Sequence, residues 1–340
     1  MASDMAIDFP IDFNDKMPLY LQISKVITEH IDNNILKNGA TLPSINTFNE
    51  QYNVARGTVE KAYKQLKKTG YIDSVPGKGY FVSANKESKI KVLFIFNKIS
   101  SHKRIIYDSF LLALGDNAVI DLQIYHYKTA VLKNIIDENI SKYHYYVVMP
   151  YFEKGFSEDD CLAIFNNIPN EQLVLLDNIL PGYPTCKGVY QDFCGDIFTA
   201  LKDVYCLMTK YTSITLLYPD NSNHPIEIVN GVKQFSKEYK LPFSLATKVG
   251  DINIIKGSVY IVIADEDLVV LIKKIRQTDY QLGVDIGIVS FNESELKNLM
   301  DITVVTTDFK KMGTTAAELI LTKTNALIKN PFQIIKRGSL

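Results

Sequence analysis

The stretch Leu42–Val82 reads LPSINTFNEQYNVARGTVEKAYKQLKKTGYIDSVPGKGYFV, and its periodicity fixes the first domain. Ser44 is placed to cap a short helix in which Ile45, Phe48 and Tyr52 recur at helical spacing. Asn53-Val54-Ala55 makes a tight turn, and a second helix follows with Val59, Ala62, Tyr63 and Leu66 on one face. Gly70 stands where a left-handed residue stops a helix. Two short runs, Tyr71–Val75 and Tyr80–Val82, flank Pro76-Gly77-Lys78-Gly79, which predicts a hairpin with a basic, glycine-rich tip. Helix, turn, helix, hairpin is the order of a winged helix-turn-helix, whose second helix enters a DNA major groove.

Working outward, Met17–Ile23 opens a helix that continues through Val26, Ile27, Ile31 and Ile35 and ends at Asn38-Gly39. Residues 1–16 carry Asp4, Asp8, Asp12 and Asp15 and read as a loose or strand-forming arm, Pro10 discouraging a helix. The whole chain of 340 residues has a formal net charge of −1. Between Tyr52 and Tyr80, however, six cationic residues face two anionic ones, and phosphates respond to the local patch. Lys64, Lys67 and Lys68 alone would fit a solvated helix face; beside the hairpin tip they fit a DNA-facing one.

Residues 84–89 are polar and read as a linker. Beyond them the pattern becomes strand–helix alternation. Ile90–Phe96, Ile120–Tyr125, Tyr145–Pro150 and Leu173–Asp177 read as buried strands of a parallel sheet with helices between them. A crossing near Val189–Asp192 leads to a long helix over about 192–210 and a second alternation, with strands at Ile214–Tyr218, Ser258–Ala264 and Ile286–Ser290. Thr303–Thr307 reads as a second crossing, feeding a helix from about Asp308 to Lys329. The fold class expected is α/β: a winged helix-turn-helix over 17–83 and a two-lobed periplasmic-binding-protein-like body over 90–340. Such sheets bind ligands at the carboxyl ends of their strands.

Two resemblances carry this further. "PLYLQISKVITEHI", "LKNGATLPS" and "YNVARGTVEKAYKQLKKTGYIDSVPGKGYFV" resemble the DNA-binding domain of the gluconate-repressor (GntR) family of bacterial transcription regulators. "IKVLFIF", "VLLDN", "VYQDF", "YIVIADEDLVVLIKKIRQ", "DIGIVSFNES" and "VVTTDFKKMGTTAAELIL" resemble, in that order, the effector domain of the lactose-repressor (LacI) family. Together they resemble the arabinose-repressor type of hybrid.

The first resemblance implies that Arg56 reads operator bases, with Gly57 and Thr58 beside it and Gly77, Lys78 and Gly79 at the minor groove. An arginine there can bond guanine O6 and N7 in pairs. Ser44, Asn46 and Thr58 are candidates for phosphate or base contacts. Asn46 and Glu60 stand where many members carry arginine, so the operator is expected to differ from the usual pattern.

Effector candidates follow from strand ends. Asp177, Asp220, Asp265 and Asn292 supply paired polar groups for sugar hydroxyls, Tyr151 and Phe291 supply stacking faces, and His102 and Arg104 supply donors. Ile228 occupies the position where the family usually has a ligand-gripping arginine.

The partners expected are double-stranded operator DNA, a monosaccharide effector such as arabinose or fucose, and a second copy of the chain. No cofactor or metal is expected. Scattered histidines and the lack of any nucleophile elbow or H-E-x-x-H motif argue against an enzyme. The start shows no signal-peptide pattern, and the four cysteines show neither C-x-x-C nor zinc spacing, so a cytoplasmic protein with reduced thiols is expected. A constitutive architectural DNA binder, its body binding nothing, is the alternative.

Overall fold

The computed structural model describes residues 9–13, 15, 17–32, 35–83, 89–153, 155–180, 187–220 and 223–340. It divides into two compact units at Ile90. The arm before residue 9 and most of the 84–89 linker lie outside the described residues.

The head consists of α1 (Leu19–Asp32), α2 (Ile45–Tyr52), α3 (Arg56–Lys68), β1 (Ile72–Val75) and β2 (Gly79–Val82). Its core is built where the sequence put its apolar stripes: Ile23 and Ile27 from α1, Phe48 from α2, and Val59, Ala62, Tyr63 and Leu66 from α3. Asn53 closes α2 in the left-handed region at φ 52°, so the tight turn is a matter of backbone geometry that asparagine tolerates. β1 and β2 pair antiparallel from Ile72↔Val82 to Val75↔Gly79, and Thr41 bridges to Phe81. The arm departs from the loose segment expected. Phe9 is buried, its ring 5.6 Å from that of His30, 5.3 Å from Phe48 and 5.5 Å from Tyr52. Gln22 holds the arm from both sides, accepting from Asp12 N at 3.0 Å and donating to Asp12 O at 2.9 Å. Burial of the Phe9 ring and the paired Gln22–Asp12 bonds together offset the cost of ordering these residues.

The body opens with β3 (Ile90–Phe96), α4 (Ser101–Leu114), β4 (Ala118–Ile124), α5 (Thr129–Asn139), β5 (Tyr145–Val148), α6 (Glu158–Ala163), β6 (Leu173–Asp177) and β7 (Lys187–Tyr190). There follow α7 (Phe193–Asp203), α8 (Tyr205–Met208), β8 (Ser213–Leu217), α9 (Glu227–Glu238), β9 (Phe243–Ala246), β10 (Ser258–Val262), α10 (Asp265–Ile275), β11 (Ile286–Phe291) and α11 (Glu295–Leu299). The last elements are β12 (Thr303–Thr307), α12 (Phe309–Leu321), β13 (Leu327–Lys329) and β14 (Phe332–Ile335).

Two six-stranded sheets result. The first lobe has the order β13-β7-β6-β5-β3-β4, and the second β14-β12-β11-β10-β8-β9. Within the second, β14 alone runs antiparallel. The near-continuous apolar runs of the inner strands are buried on both faces, as a helix-covered parallel sheet requires. α4 packs on α12 so closely that a Cβ on Gly313 would lie 2.2 Å from the Ile106 carbonyl oxygen.

Two helices differ from expectation. The long helix after the first crossing breaks at Val204 into α7 and α8. α12 stops at Leu321 instead of reaching Lys329, because Lys323 turns left-handed (φ 52°) and Thr324 N–H bonds back to Leu319 O at 3.1 Å. The residues freed include β13, an edge strand of the first lobe, and β14 follows as an edge strand of the second. There are therefore three crossings between the lobes, near 191, 308 and 330, where two were expected. Polar staples hold them side by side: Gln191 Nε2 donates to Thr307 Oγ1 at 3.0 Å, and Asn330 Nδ2 to Asp308 O at 3.1 Å.

Candidate functional site

On the head, Ser44 caps α2 by accepting from Thr47 N at 3.1 Å, and Tyr63 donates to Pro43 O at 2.9 Å, fixing that cap against α3. Ser44 and Asn46 are exposed on α2. α3 starts differently. Its N-cap is Ala55, whose side chain makes no cap hydrogen bond, so the Arg56 and Gly57 N–H groups lack a side-chain cap, while Thr58 N donates to Ala55 O at 2.8 Å. Arg56 and Gly57 are exposed there, Thr58 is half-buried, and nothing lies within 4 Å of where a Gly57 Cβ would stand.

The hairpin tip also matches its reading. Gly77 (φ 84°) and Gly79 (φ 81°) both require the left-handed region, Lys78 N donates to Val75 O at 3.0 Å, and all three residues are exposed. The six cations of this surface are not equivalent. Lys67 is tied to Asp73 at 3.0 Å and to Ser74 at 2.8 Å, and Lys61 lies 3.9 Å over the Tyr20 ring. Arg56, Lys64, Lys68 and Lys78 form no ion pair among the described residues. Glu60 is exposed one turn from both Arg56 and Lys64.

In the body, the ends of β3, β5 and β6 bring together a polar group. Tyr151 donates to Asp177 Oδ2 at 2.7 Å, and both are half-buried. Burial raises the Asp177 carboxyl, opposed by Lys103 and the Tyr151 bond; burial and then Asp177 push Tyr151 well up. Tyr127 is pushed up to about 12 by burial and by Asp177. Buried Lys103 completes the group. Its Nζ donates to Asn97 Oδ1, lies 3.2 Å from Met149 Sδ, and is held down to about 8 by burial. His102 precedes it, with Nε2 3.2 Å from Glu293 O of the second lobe and its ring 4.7 Å from Phe309.

The remaining candidates are dispersed. Arg104 is exposed and pairs with Asp108 at 3.4 Å, on the outer face of α4. Asp265 is held by Lys297 at 2.6 Å, and Lys297 also donates to Phe291 O and Asn292 O. Phe291 is buried in the second lobe's core near Phe332, so its ring faces apolar neighbours. Asn292 takes φ 64° and bonds Val305 O at 2.7 Å through its N–H. Asp220 is exposed after β8.

Lys103, Asn97, Tyr127 and His224 did not emerge from the sequence. Lys103 left one signal: it falls on the buried stripe of α4 with Ile106, Phe110 and Leu114, where a lysine needs a reason. Two cavities lie away from these strand ends. One of about 380 Å³ lies between the arm and α1, and one of about 340 Å³ lies beside the third crossing, lined by Asp196, Lys329, Asn330 and Phe332. The chemistry sits at the strand ends, where titratable groups of both lobes converge, and we place the candidate site there.

Residues 19–82 match the model of the bacterial regulatory proteins of the gntR family. The same region is 41% identical over 69 residues to the uncharacterised HTH-type transcriptional regulator YurK of Bacillus subtilis, covering 20% of this chain and 28% of that protein. It is 32% identical over 80 residues to the HTH-type transcriptional repressor YtrA of the same organism, covering 24% and 62%. The match thus spans about a quarter of the length of YurK. The fold matches the Lac repressor bound to ONPG in its repressed state at a TM-score of 0.61 and 14% identity, over 84% of this chain and 92% of that one. It also matches a periplasmic binding protein/LacI transcriptional regulator from Alkaliphilus metalliredigens complexed with D-xylulofuranose, at 0.54 and 10%, over 73% and 98%. A gntR-type DNA-binding head is joined here to a body with the LacI and periplasmic-binding-protein fold. Among the described residues no helix is long and apolar enough to cross a membrane.

Proposed function

We propose that this chain is a ligand-controlled, sequence-specific transcription regulator, most simply a repressor of a carbohydrate-utilisation operon, and not an enzyme. The observation that carries the reading is the pairing of two sites in one chain. An uncapped α3 N-terminus presents Arg56 beside a basic glycine wing, and a two-lobed body collects polar groups at its strand ends. The first suits a duplex, with Arg56 on base edges and Lys64, Lys68 and Lys78 on phosphates. The second suits a small hydroxylated effector, a pentose or deoxyhexose skeleton such as that of arabinose or fucose.

The active form is a homodimer, so that two heads meet a pseudo-palindromic operator. Support comes from Ile105 and Leu112, which expose apolar surface two turns apart on α4, and from Val119 and Leu122 on the neighbouring edge strand β4. Effector binding changes the angle between lobes about the three crossings and alters operator affinity by about 5–150-fold. Work in cytoplasm suits such a protein.

The test is operator selection from a random duplex pool by the full chain, followed by titration of monosaccharides into the protein–DNA complex and into thermal melts. Selection of a shared sequence, released by a ligand that raises the melting temperature, is the expected result. Selection without any ligand response would favour the architectural reading, and no selection at all would end both.

A further inference from the structure

Basic side chains from both lobes converge on the recess at the ends of β3, β5 and β6. Lys103 is buried within it, and Lys98 stands in the loop directly after β3, near enough for its charge to act on His102, Lys103 and His224 together. His224 belongs to the second lobe, so the convergence spans the cleft. The carboxylates available to answer it are few. Asp265 is taken by Lys297 at 2.6 Å and Glu293 by Arg337 at 2.8 Å. Asp220 is exposed, and Asp177 already accepts from Tyr151.

The Lys103 ammonium itself is under-satisfied. Of its three N–H donors one meets the Asn97 amide oxygen and one a thioether, a weak acceptor, and the Phe96 and Tyr151 ring centroids each lie 5.6 Å away, which neutralises no charge. No carboxylate oxygen among the described residues comes within 4.0 Å of it. A buried ammonium in this state is costly unless a counter-charge arrives. Burial presses Lys103 down, to about 8, with Asp177 opposing the shift and Lys98 adding to it, and burial and then Lys98 hold His224 at about 4.

Resting on the regulator reading above, we infer that the cleft takes a hydroxylated anion: a monosaccharide derivative bearing one phosphate or carboxylate, which Lys103 and Lys98 bind while Asp177 and Tyr151 accept and donate to its hydroxyls. Lysine is suited to this as a point charge that tolerates either acid geometry. A neutral sugar would satisfy Asp177 but leave the ammonium uncompensated.

The experiment is calorimetric titration of the full chain with D-glucose, D-gluconate and D-glucose 6-phosphate, then with the pentose equivalents, with inorganic phosphate as the simple-anion control. At least one acid is expected to bind about tenfold or more tighter than its neutral parent, and phosphate against carboxylate identifies the acid class. Lys103→Met should abolish that preference, and Lys98→Ala, at an exposed position, should reduce it in the same direction. Neutral sugars binding as tightly as their acids, indifferent to both substitutions, would overturn the inference and leave the regulator reading intact. An acid that binds with Lys103-dependent preference yet leaves operator affinity unchanged would support the inference and defeat the regulator reading. Binding by none of the probes counts against the inference and, if operator selection persists, against ligand control as well.

Discussion

Two lysine-bearing helices in this molecule make opposite use of the same side chain. On α3 the cations lie on the solvent face, opposite Val59, Ala62, Tyr63 and Leu66, and Arg56, Lys64 and Lys68 form no ion pair among the described residues. On α4 Lys103 lies on the apolar face in line with Ile106 and Phe110, buried, with one amide oxygen, one thioether and the rings of Phe96 and Tyr151 around it. The difference teaches that a cation's position relative to its helix's apolar stripe predicts its task better than its neighbours in sequence do. A solvent-face cation is additive, salt-sensitive and replaceable. A core-face cation is coupled to everything around it.

The largest effect expected from that contrast is on stability against pH. The folded-state Lys103 is held near 8, below the 10.5 of an unperturbed lysine, so the unfolded chain binds more protons between those values. Stability contributed at this site should therefore rise with pH from about 8 to about 10.5, by about 3 kcal/mol relative to Lys103→Met followed in parallel by urea denaturation. Equal slopes for both proteins would dissolve the contrast. Over the same window, affinity for an anionic ligand should fall as Lys103 loses its proton. Lys98, His102 and Asp177 face the same recess, burial raising the Asp177 carboxyl; Tyr127, near 12, and His224, near 4, titrate outside the window.

Next in size, Arg56→Ala should weaken specific operator binding by about 1–3 kcal/mol in a gel-shift titration, with melting temperature and ligand affinity unmoved. A loss of ligand affinity alongside would show that the exposed cation is not independent. Substituting Lys78 by Ala should weaken all duplexes nearly alike and lower the salt slope by about 1, which a filter-binding series from low to moderate salt would read. The smallest expected change is in Lys67→Met. Because that ammonium is already engaged by Asp73 and Ser74, the salt slope should barely move, although it lies on the same helix as Lys64 and Lys68.

The same contrast explains what the sequence disclosed. The head was legible nearly to the residue, since its caps, turn and glycines act within a few positions of themselves: Ser44 on Thr47, Asn53 at the turn, Gly77 and Gly79 at the tip. The inner strands of both lobes were legible because burial on both faces leaves continuous apolar runs. Edge strands were legible less evenly: β4 was read as a strand, though as a buried one where it is a half-exposed edge, whereas β9, β13 and β14 were not read at all. β13 is exposed at all three residues and β9 at two of four, so neither carries a pattern. Of the cleft residues, Asp177 and Tyr151 could be read from strand ends, whereas Phe291 and Asp265 were assigned by the same rule and are occupied by core packing and by Lys297. Which groups at a strand end remain unengaged depends on contacts from elsewhere in the chain, and Lys103 meets Met149 and Asp177 only once β5 and β6 are in place.

The third crossing carries a consequence for how the body is made. β13 completes the edge of one sheet and β14 the edge of the other, and Ser339 then donates to Ile288 O and accepts from Thr303 N within the second lobe. Neither lobe can close its sheet during synthesis until residues 327–340 have emerged, whereas every contact in the head's core lies within the first eighty-odd residues. A ribosome translating this message should therefore carry a finished DNA-binding head for most of the time that the two-lobed body is still an open, aggregation-exposed intermediate.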